Sequence, residues 1–154
     1  MQYIQQISLG LALSISSLLS HAALPVELSK QLVGKTVRTG VTIKAPELAE
    51  NGSVVPIKIG DIKLPNKDVH VTSIRFYSEA NTNCPIASYK LTKYTLSEGL
   101  GTRIKLAQTT NVHALATLSD GSVVTGEKKI KITVGGCGGG GSAATRAVGN
   151  YCKK

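Results

Sequence analysis

Residues 111–134, NVHALATLSDGSVVTGEKKIKITV, carry the clearest structural signal in the chain. Apolar and polar residues alternate in both halves of this stretch, and a period of two is typical of a β-strand with one buried face. Asp120-Gly121 separates the halves, and Asp-Gly between two such runs is a strong signal for a β-hairpin. The stretch therefore predicts two antiparallel strands, of which the second ends at Val134.

Upstream of this hairpin, similar short runs recur between turn residues. They begin near Val37, Val54, Val69, Ile86 and Ile104. About seven short strands without alternating helices predict an all-β antiparallel sandwich in a single domain over residues 23–134. Pro56 predicts an edge strand or a bulge in its run, because proline cannot donate a ladder hydrogen bond. Leu28 and Leu32 lie four residues apart, which predicts a short N-terminal helix over residues 25–32.

Residues 1–22 differ from the rest of the chain. They contain no Lys, Arg, Asp or Glu, and their apolar run over residues 7–19 has the length of a signal-peptide core. Ser20-His21-Ala22 supplies small residues at the two positions that define a cleavage site. We expect a cleaved signal peptide over residues 1–22 and no membrane insertion afterwards, with an uncleaved anchor as the alternative. The first arginine is Arg38, so a twin-arginine motif is absent and a Sec-type signal is expected.

The chain carries a formal net charge of +9, all of it outside the leader. Such an excess of cations is compatible with nucleic acids, anionic membranes or smaller anions as partners. Export argues against nucleic acid, and so does an aromatic content of 4%, which is low for a base-stacking surface. The composition favours a solvated basic surface that attracts acidic partners or anions.

Residues 135–141 read GGCGGGG, so a single cysteine, Cys137, interrupts a run of glycines. Glycine accepts nearly all backbone angles and has no side chain to bury, so the run predicts a flexible arm. A simple linker would explain the glycines but not the thiol among them. A cysteine flanked by glycine is slim enough to enter a narrow cleft, and the arm from Val134 to Cys137 reaches roughly 10 Å. Because the thiolate is a nucleophile, we predict that Cys137 holds a substrate covalently.

The chain has three cysteines, which leaves one thiol over after any internal pairing. A disulfide between Cys84 and Cys152 would attach the tail, residues 142–154, to the sandwich and leave Cys137 free. A disulfide between Cys137 and Cys152 would mask the thiol reversibly. We expect the first pairing, and the sequence leaves the second open.

Other candidate sites are weak. The cysteines lack zinc-site spacing, and neither a phosphate-binding glycine motif nor a catalytic triad signature is present, so we expect no metal, no cofactor and no catalytic residue. His70 and His113 are predicted to be surface residues on strands. A thiol enzyme such as a peroxidase remains an alternative, although no base that would activate the thiol stands out.

Three further segments are PELAENG at 46–52, TRIKLAQTTNV at 102–112 and KITVGGCGG at 131–139. In order and spacing they resemble the SoxY family, the sulfur-carrier subunit of the periplasmic thiosulfate-oxidising (Sox) system. The resemblance implies an immunoglobulin-like β-sandwich in the periplasm that pairs with a SoxZ-like subunit. It also implies that Cys137 bears the sulfur substrate on an arm formed by Gly135, Gly136, Gly138 and Gly139. The tail over residues 142–154 departs from the family pattern.

The same resemblance implies a carrier without enzymatic activity of its own. Its partners would be a c-type cytochrome complex that conjugates thiosulfate, a hydrolase that releases sulfate, and a sulfane dehydrogenase. The alternative is an exported immunoglobulin-like structural or adhesion module with a disulfide-anchored tail. This alternative predicts that no thiol is accessible.

Overall fold

The computed structural model describes residues 26–81, 85–95 and 99–135. Within these residues the chain forms one short helix and nine strands. The helix, α1, spans Val26–Leu32. The strands are β1 Val37–Thr39, β2 Val41–Lys44, β3 Leu48–Asn51, β4 Val55–Ile62, β5 Val71–Ser78, β6 Ala87–Lys90, β7 Gly101–Ile104, β8 Thr110–Leu118 and β9 Val123–Val134.

The strands form two sheets that face each other, which confirms the predicted all-β sandwich. The large sheet has the order β9-β8-β5-β6, and both β1 and β3 lie beside β9 on its free side. The small sheet has the order β2-β4-β7. The pairings are antiparallel except for those of β1 and β3, which each run parallel to β9. These two parallel pairings were not predicted.

The hairpin between β8 and β9 forms at the predicted turn. Gly121 has φ of 82°, a left-handed conformation that glycine adopts without steric cost. Its N–H donates to the Leu118 carbonyl at 3.0 Å, and the Leu118 N–H donates to the Ser122 carbonyl at 2.9 Å. The Ser122 hydroxyl and N–H both donate to the Asp120 carboxylate, at 2.6 and 2.9 Å. These hydrogen bonds lower the pKa of Asp120, because they stabilise the charged carboxylate.

The core lies between the inner faces of the two sheets. Its fully buried members on the large sheet include Ile74, Phe76, Val112, Ala114, Ala116, Val124 and Ile130, and those on the small sheet include Val55, Ile57 and Ile59. The two sheets come into backbone contact at Gly126, where a Cβ would lie 1.9 Å from the Val41 carbonyl oxygen. Only glycine fits at this crossing, so β2 can pack directly on the backbone of β9.

The chain changes sheet at Gly40, within a run whose alternation predicted one continuous strand. The Gly40 N–H donates to the Thr125 carbonyl in the large sheet, and its own carbonyl accepts from the Lys63 N–H at the end of the small sheet. Both bonds are 2.9 Å long. The run is therefore divided into β1 and β2, one in each sheet.

Pro56 lies in β4, which is the middle strand of the small sheet rather than an edge strand. The pairing of β2 with β4 ends at Lys58, whereas the pairing with β7 continues to Pro56 and Val55. Pro56 therefore has a ladder neighbour on one side only. The prediction was wrong for the strand as a whole, but the proline occupies a local edge where its missing donor costs no bond.

The predicted N-terminal helix forms and packs on the outer face of the large sheet. Leu28 is 1% exposed and lies in a small apolar cluster with Tyr77, Leu115 and Val123, against which Leu32 also packs. The Arg75 guanidinium donates to the Gln31 side-chain oxygen at 2.9 Å, which adds a polar contact. No helix within the described residues is long and apolar enough to span a membrane.

Candidate functional site: the root of the glycine arm

The last strand, β9, leads directly into the glycine-rich segment, and it is held along its whole length. It pairs with β8 from Val123 to Ile130, and with β3 from Lys131 to Val134. The change of partner keeps the strand hydrogen-bonded after β8 has ended. The arm therefore begins from a rigid strand end, which fixes where it leaves the sandwich.

A second contact closes over the end of β9. The buried Gly52 donates its N–H to the Val134 carbonyl at 2.8 Å and accepts from the Leu106 N–H at 2.7 Å. It thus connects the end of the large sheet to the loop that follows β7 in the small sheet. The Asn51 side chain accepts from the Ser53 N–H at 2.8 Å, which stabilises the turn that contains Gly52.

Gly135 is the first residue after β9 and the last that the structure describes. A Cβ on it would lie 2.3 Å from the Ala107 carbonyl oxygen, closer than real Cβ contacts. Any larger residue would therefore push the strand end away from the loop. The run of glycines predicted a flexible arm that begins at Gly135. The structure shows instead that the Ala107 carbonyl lies so close to Gly135 that only glycine fits there.

The side chain of the buried Asn81 holds the loop at Ala107 through two hydrogen bonds. The Asn81 amide group donates to the Lys105 carbonyl at 2.6 Å, and its side-chain oxygen accepts from the Ala107 N–H at 3.2 Å. The Ser78 hydroxyl donates to the same oxygen at 3.2 Å. On the other side, the Ile132 N–H of β9 donates to the Thr109 hydroxyl at 2.9 Å. The loop is thus tied both to the sandwich and to the strand that carries the arm.

We call this assembly, which consists of Gly52, Ala107, Val134 and Gly135, the arm root. Of the predicted site residues only Gly135 lies in it. Cys137, Gly136, Gly138, Gly139, Cys84 and Cys152 lie outside the described residues. The sequence did not single out Gly52, Asn81 or Ala107 as functional. The signal that could have found two of them is the resemblance itself, because the segments 46–52 and 102–112 contain Gly52 and Ala107 and meet at the arm root.

The expectation that His113 is a surface residue is wrong. It does lie on the outer face of the large sheet, but it is only 2% exposed. Its Nε2 lies 2.9 Å from a Glu79 carboxylate oxygen, and its Nδ1 lies 3.6 Å from Glu127. His70 is half-buried and lies just before β5. Within the described residues, no group of three or more His, Cys, Asp and Glu side chains is arranged to hold a metal ion.

Comparison with known families identifies the family of this chain. The family model of the sulfur oxidation protein SoxY matches residues 29–137, which begin in α1 and end at Cys137. The chain belongs to the SoxY family. The match includes every strand of the sandwich and the whole arm root, so the recognised SoxY features extend from the fold to the cysteine.

Solved structures agree on the fold. The sulfur carrier protein SoxY from Chlorobium limicola f thiosulfatophilum is 24% identical, with a TM-score of 0.55, and the alignment covers 70% of this chain and 90% of that one. A superoxide reductase (neelaredoxin) from Ignicoccus hospitalis is 16% identical, with a TM-score of 0.50 and coverage of 62% and 81%. At these identities the likeness shows a shared sandwich. No curated protein matches the chain.

Proposed function

We propose that this SoxY-family chain is a sulfur carrier that holds sulfur intermediates covalently on Cys137 and presents them to partner enzymes. Membership of the SoxY family supports a carrier role in sulfur oxidation. The observation that carries the finer proposal is that the family match ends at Cys137, three residues beyond the end of β9 at Val134, which is hydrogen-bonded to Gly52 and followed by Gly135 against Ala107. A rigid root with a glycine-flanked thiol beyond it suits delivery of one group to several active sites.

The chemistry follows from the nucleophilicity of a thiolate. A c-type cytochrome complex would join thiosulfate to Cys137 by forming a bond between the thiol sulfur and the sulfane sulfur of thiosulfate. This step releases two electrons to the cytochrome and the thiol proton to solvent. A hydrolase would then use water to release sulfate with two protons, which leaves a persulfide anion on Cys137. The sulfane sulfur would be oxidised further by a sulfane dehydrogenase or passed on.

In this proposal the chain is not itself an enzyme, since the partners supply the oxidant and the hydrolytic machinery. It pairs with a SoxZ-like subunit and works in the periplasm after removal of residues 1–22. The Cys84–Cys152 disulfide would leave Cys137 as the free thiol, with residues 142–154 attached to the sandwich.

The test is intact and peptide mass spectrometry of the mature protein from its native host, before and after reduction. We expect a reducible sulfur-containing adduct on Cys137 and a bridge between Cys84 and Cys152. Cys137→Ser should abolish thiosulfate-dependent turnover in a reconstituted system. The double variant Cys84→Ser/Cys152→Ser is the matched control, because it removes the other two cysteines together and leaves no thiol that could pair with Cys137. A stable disulfide that involves Cys137 in all molecules, with no adduct, would favour the structural module instead.

A further inference from the structure

The outer face of the small sheet carries four exposed cations. They are Lys44 on β2, Lys58 on β4, Arg103 on β7 and Lys105 directly after β7. All four alternate with buried residues such as Ile43, Ile57, Ile104 and Leu106, so their side chains share the face that points away from the core. We call these four residues the cationic face.

Charges of the same sign oppose each other across this face. Lys44 and Lys58 are direct partners in the pairing of β2 with β4. Like charges in such positions destabilise a sheet. Within the described part of the chain, no carboxylate lies within 4.0 Å of any of the four cations. The repulsion is therefore not offset inside the described domain, and an acidic surface from another molecule would offset it.

Two glycines support the lysine side chains. A Cβ on Gly60 would lie 3.0 Å from Cε of Lys44, and one on Gly99 would lie 3.0 Å from Cε of Lys58. The aliphatic parts of both lysines therefore lie across glycine backbone, where a side chain would displace them. The absence of side chains at the two glycines thus leaves room for the lysine side chains to lie close to the sheet.

The outer face of the large sheet is different in both cover and charge. The helix α1 packs on it through Leu28, and it also carries the carboxylates of Glu79 and Glu127 beside His113. The outer face of the large sheet thus combines cations such as Arg75 and Lys129 with carboxylates, whereas the cationic face has no described carboxylate within 4.0 Å of its four cations.

The cationic face borders the arm root. Lys105 is followed by Leu106, whose N–H donates to the Gly52 carbonyl, and then by Ala107, whose carbonyl lies against Gly135. Arg103 precedes them on β7 and lies opposite Pro56. A protein that receives the arm would therefore meet these cations on the same side of the molecule.

We propose that the cationic face docks an acidic surface around the active-site entrance of the enzymes that receive the arm. This inference rests on the proposed carrier function and adds the chemistry of the partner. Complementary charges steer partners together and act mainly on the association rate. The same contact can serve several enzymes in turn, because steering needs matching charge rather than one fixed set of side-chain contacts.

The test compares two variants with the same net charge. One replaces the cationic face (K44Q, K58Q, R103Q and K105Q), and the control replaces four exposed lysines elsewhere (K35Q, K67Q, K90Q and K129Q). Each mature protein is co-expressed with its partner subunit, and its association rate with the purified c-type cytochrome complex is measured at two salt concentrations. Circular dichroism and thermal melting confirm that both variants are folded.

At about 20 mM salt, where the screening length exceeds 20 Å, we expect the face variant to associate at least ~10-fold more slowly than the control. At about 500 mM salt the two rates should converge, because the screening length is then only about 4 Å. Equal rates for the two variants at low salt would overturn the inference, and so would loss of the partner subunit from the face variant, since the face would then bind that subunit.

Failure of the carrier function gives a different result. Cys137→Ser keeps all four cations, so its association rate should equal that of the wild type while no sulfur adduct forms. A wild-type protein that associates rapidly but never acquires an adduct would contradict the carrier function and leave the docking surface in place.

Discussion

Replacement of Gly135 by alanine tests whether the arm root is a close-packed contact. The new Cβ would lie 2.3 Å from the Ala107 carbonyl oxygen, whereas ordinary contacts begin near 3.4 Å. The strand end and the loop must therefore separate by about 1 Å, which is typical of an overpacked site that costs about 1–3 kcal/mol. A movement of this size also stretches the 2.8 Å bond from Gly52 to Val134, which contributes about 1 kcal/mol.

Together these effects predict that Gly135→Ala lowers the free energy of unfolding by about 2–4 kcal/mol. For a domain of this size the corresponding loss of Tm is about 8–16 °C. Urea unfolding followed by far-UV circular dichroism, together with a thermal melt, measures both quantities. We also expect slower formation of the Cys137 adduct, because the arm leaves the sandwich in an altered direction.

Gly101→Ala is the matched control. A Cβ on Gly101 would meet no heavy atom within 4 Å, and alanine is preferred over glycine in a strand by about 0.5–1 kcal/mol. The control should therefore be as stable as the wild type or slightly more so. If the free energy of unfolding of Gly135→Ala is within about 0.5 kcal/mol of the wild-type value, the arm root is a flexible hinge and the reasoning from close packing is refuted.

Two further predictions concern contacts on which the fold depends. Asn81→Ala removes the two hydrogen bonds from the Asn81 side chain to the loop at Ala107 and should lower the free energy of unfolding by about 2–3 kcal/mol, as measured by urea denaturation. Wild-type stability of this variant would show that the loop does not depend on Asn81. Asp120→Asn tests the hairpin through its pH dependence. The folded-state pKa of Asp120 is below its unfolded value, so its stabilising contribution is present above about pH 4 and is lost as the pH falls. The stability difference between wild type and Asp120→Asn should thus be largest near neutral pH and shrink below about pH 4, and a difference that is equal at pH 7 and pH 3 would contradict this origin.

Local signals in the sequence were sufficient for the class of fold and for the central hairpin. Alternation over residues 111–134 and the Asp120-Gly121 turn depend on neighbours in the chain, since side chains two residues apart share a face of a strand. The same holds for α1, because Leu28 and Leu32 are four residues apart and therefore lie on the same face of the helix, one turn from each other. The choice of Cys137 as the reactive residue came from its place in the run of glycines, and it remains a prediction for the experiments above.

Long-range packing decided the rest. The division of one alternating run at Gly40, the parallel pairing of β3 with β9 and the burial of His113 each depend on residues far away in the chain, which local periodicity does not specify. The clearest case is Gly135. Its sequence context indicated an arm made flexible by glycine, and only the tertiary structure brings the Ala107 carbonyl to the place where a Cβ would be. The identity of a residue determines what its backbone can adopt, but the space around it is set by the strands that fold against it.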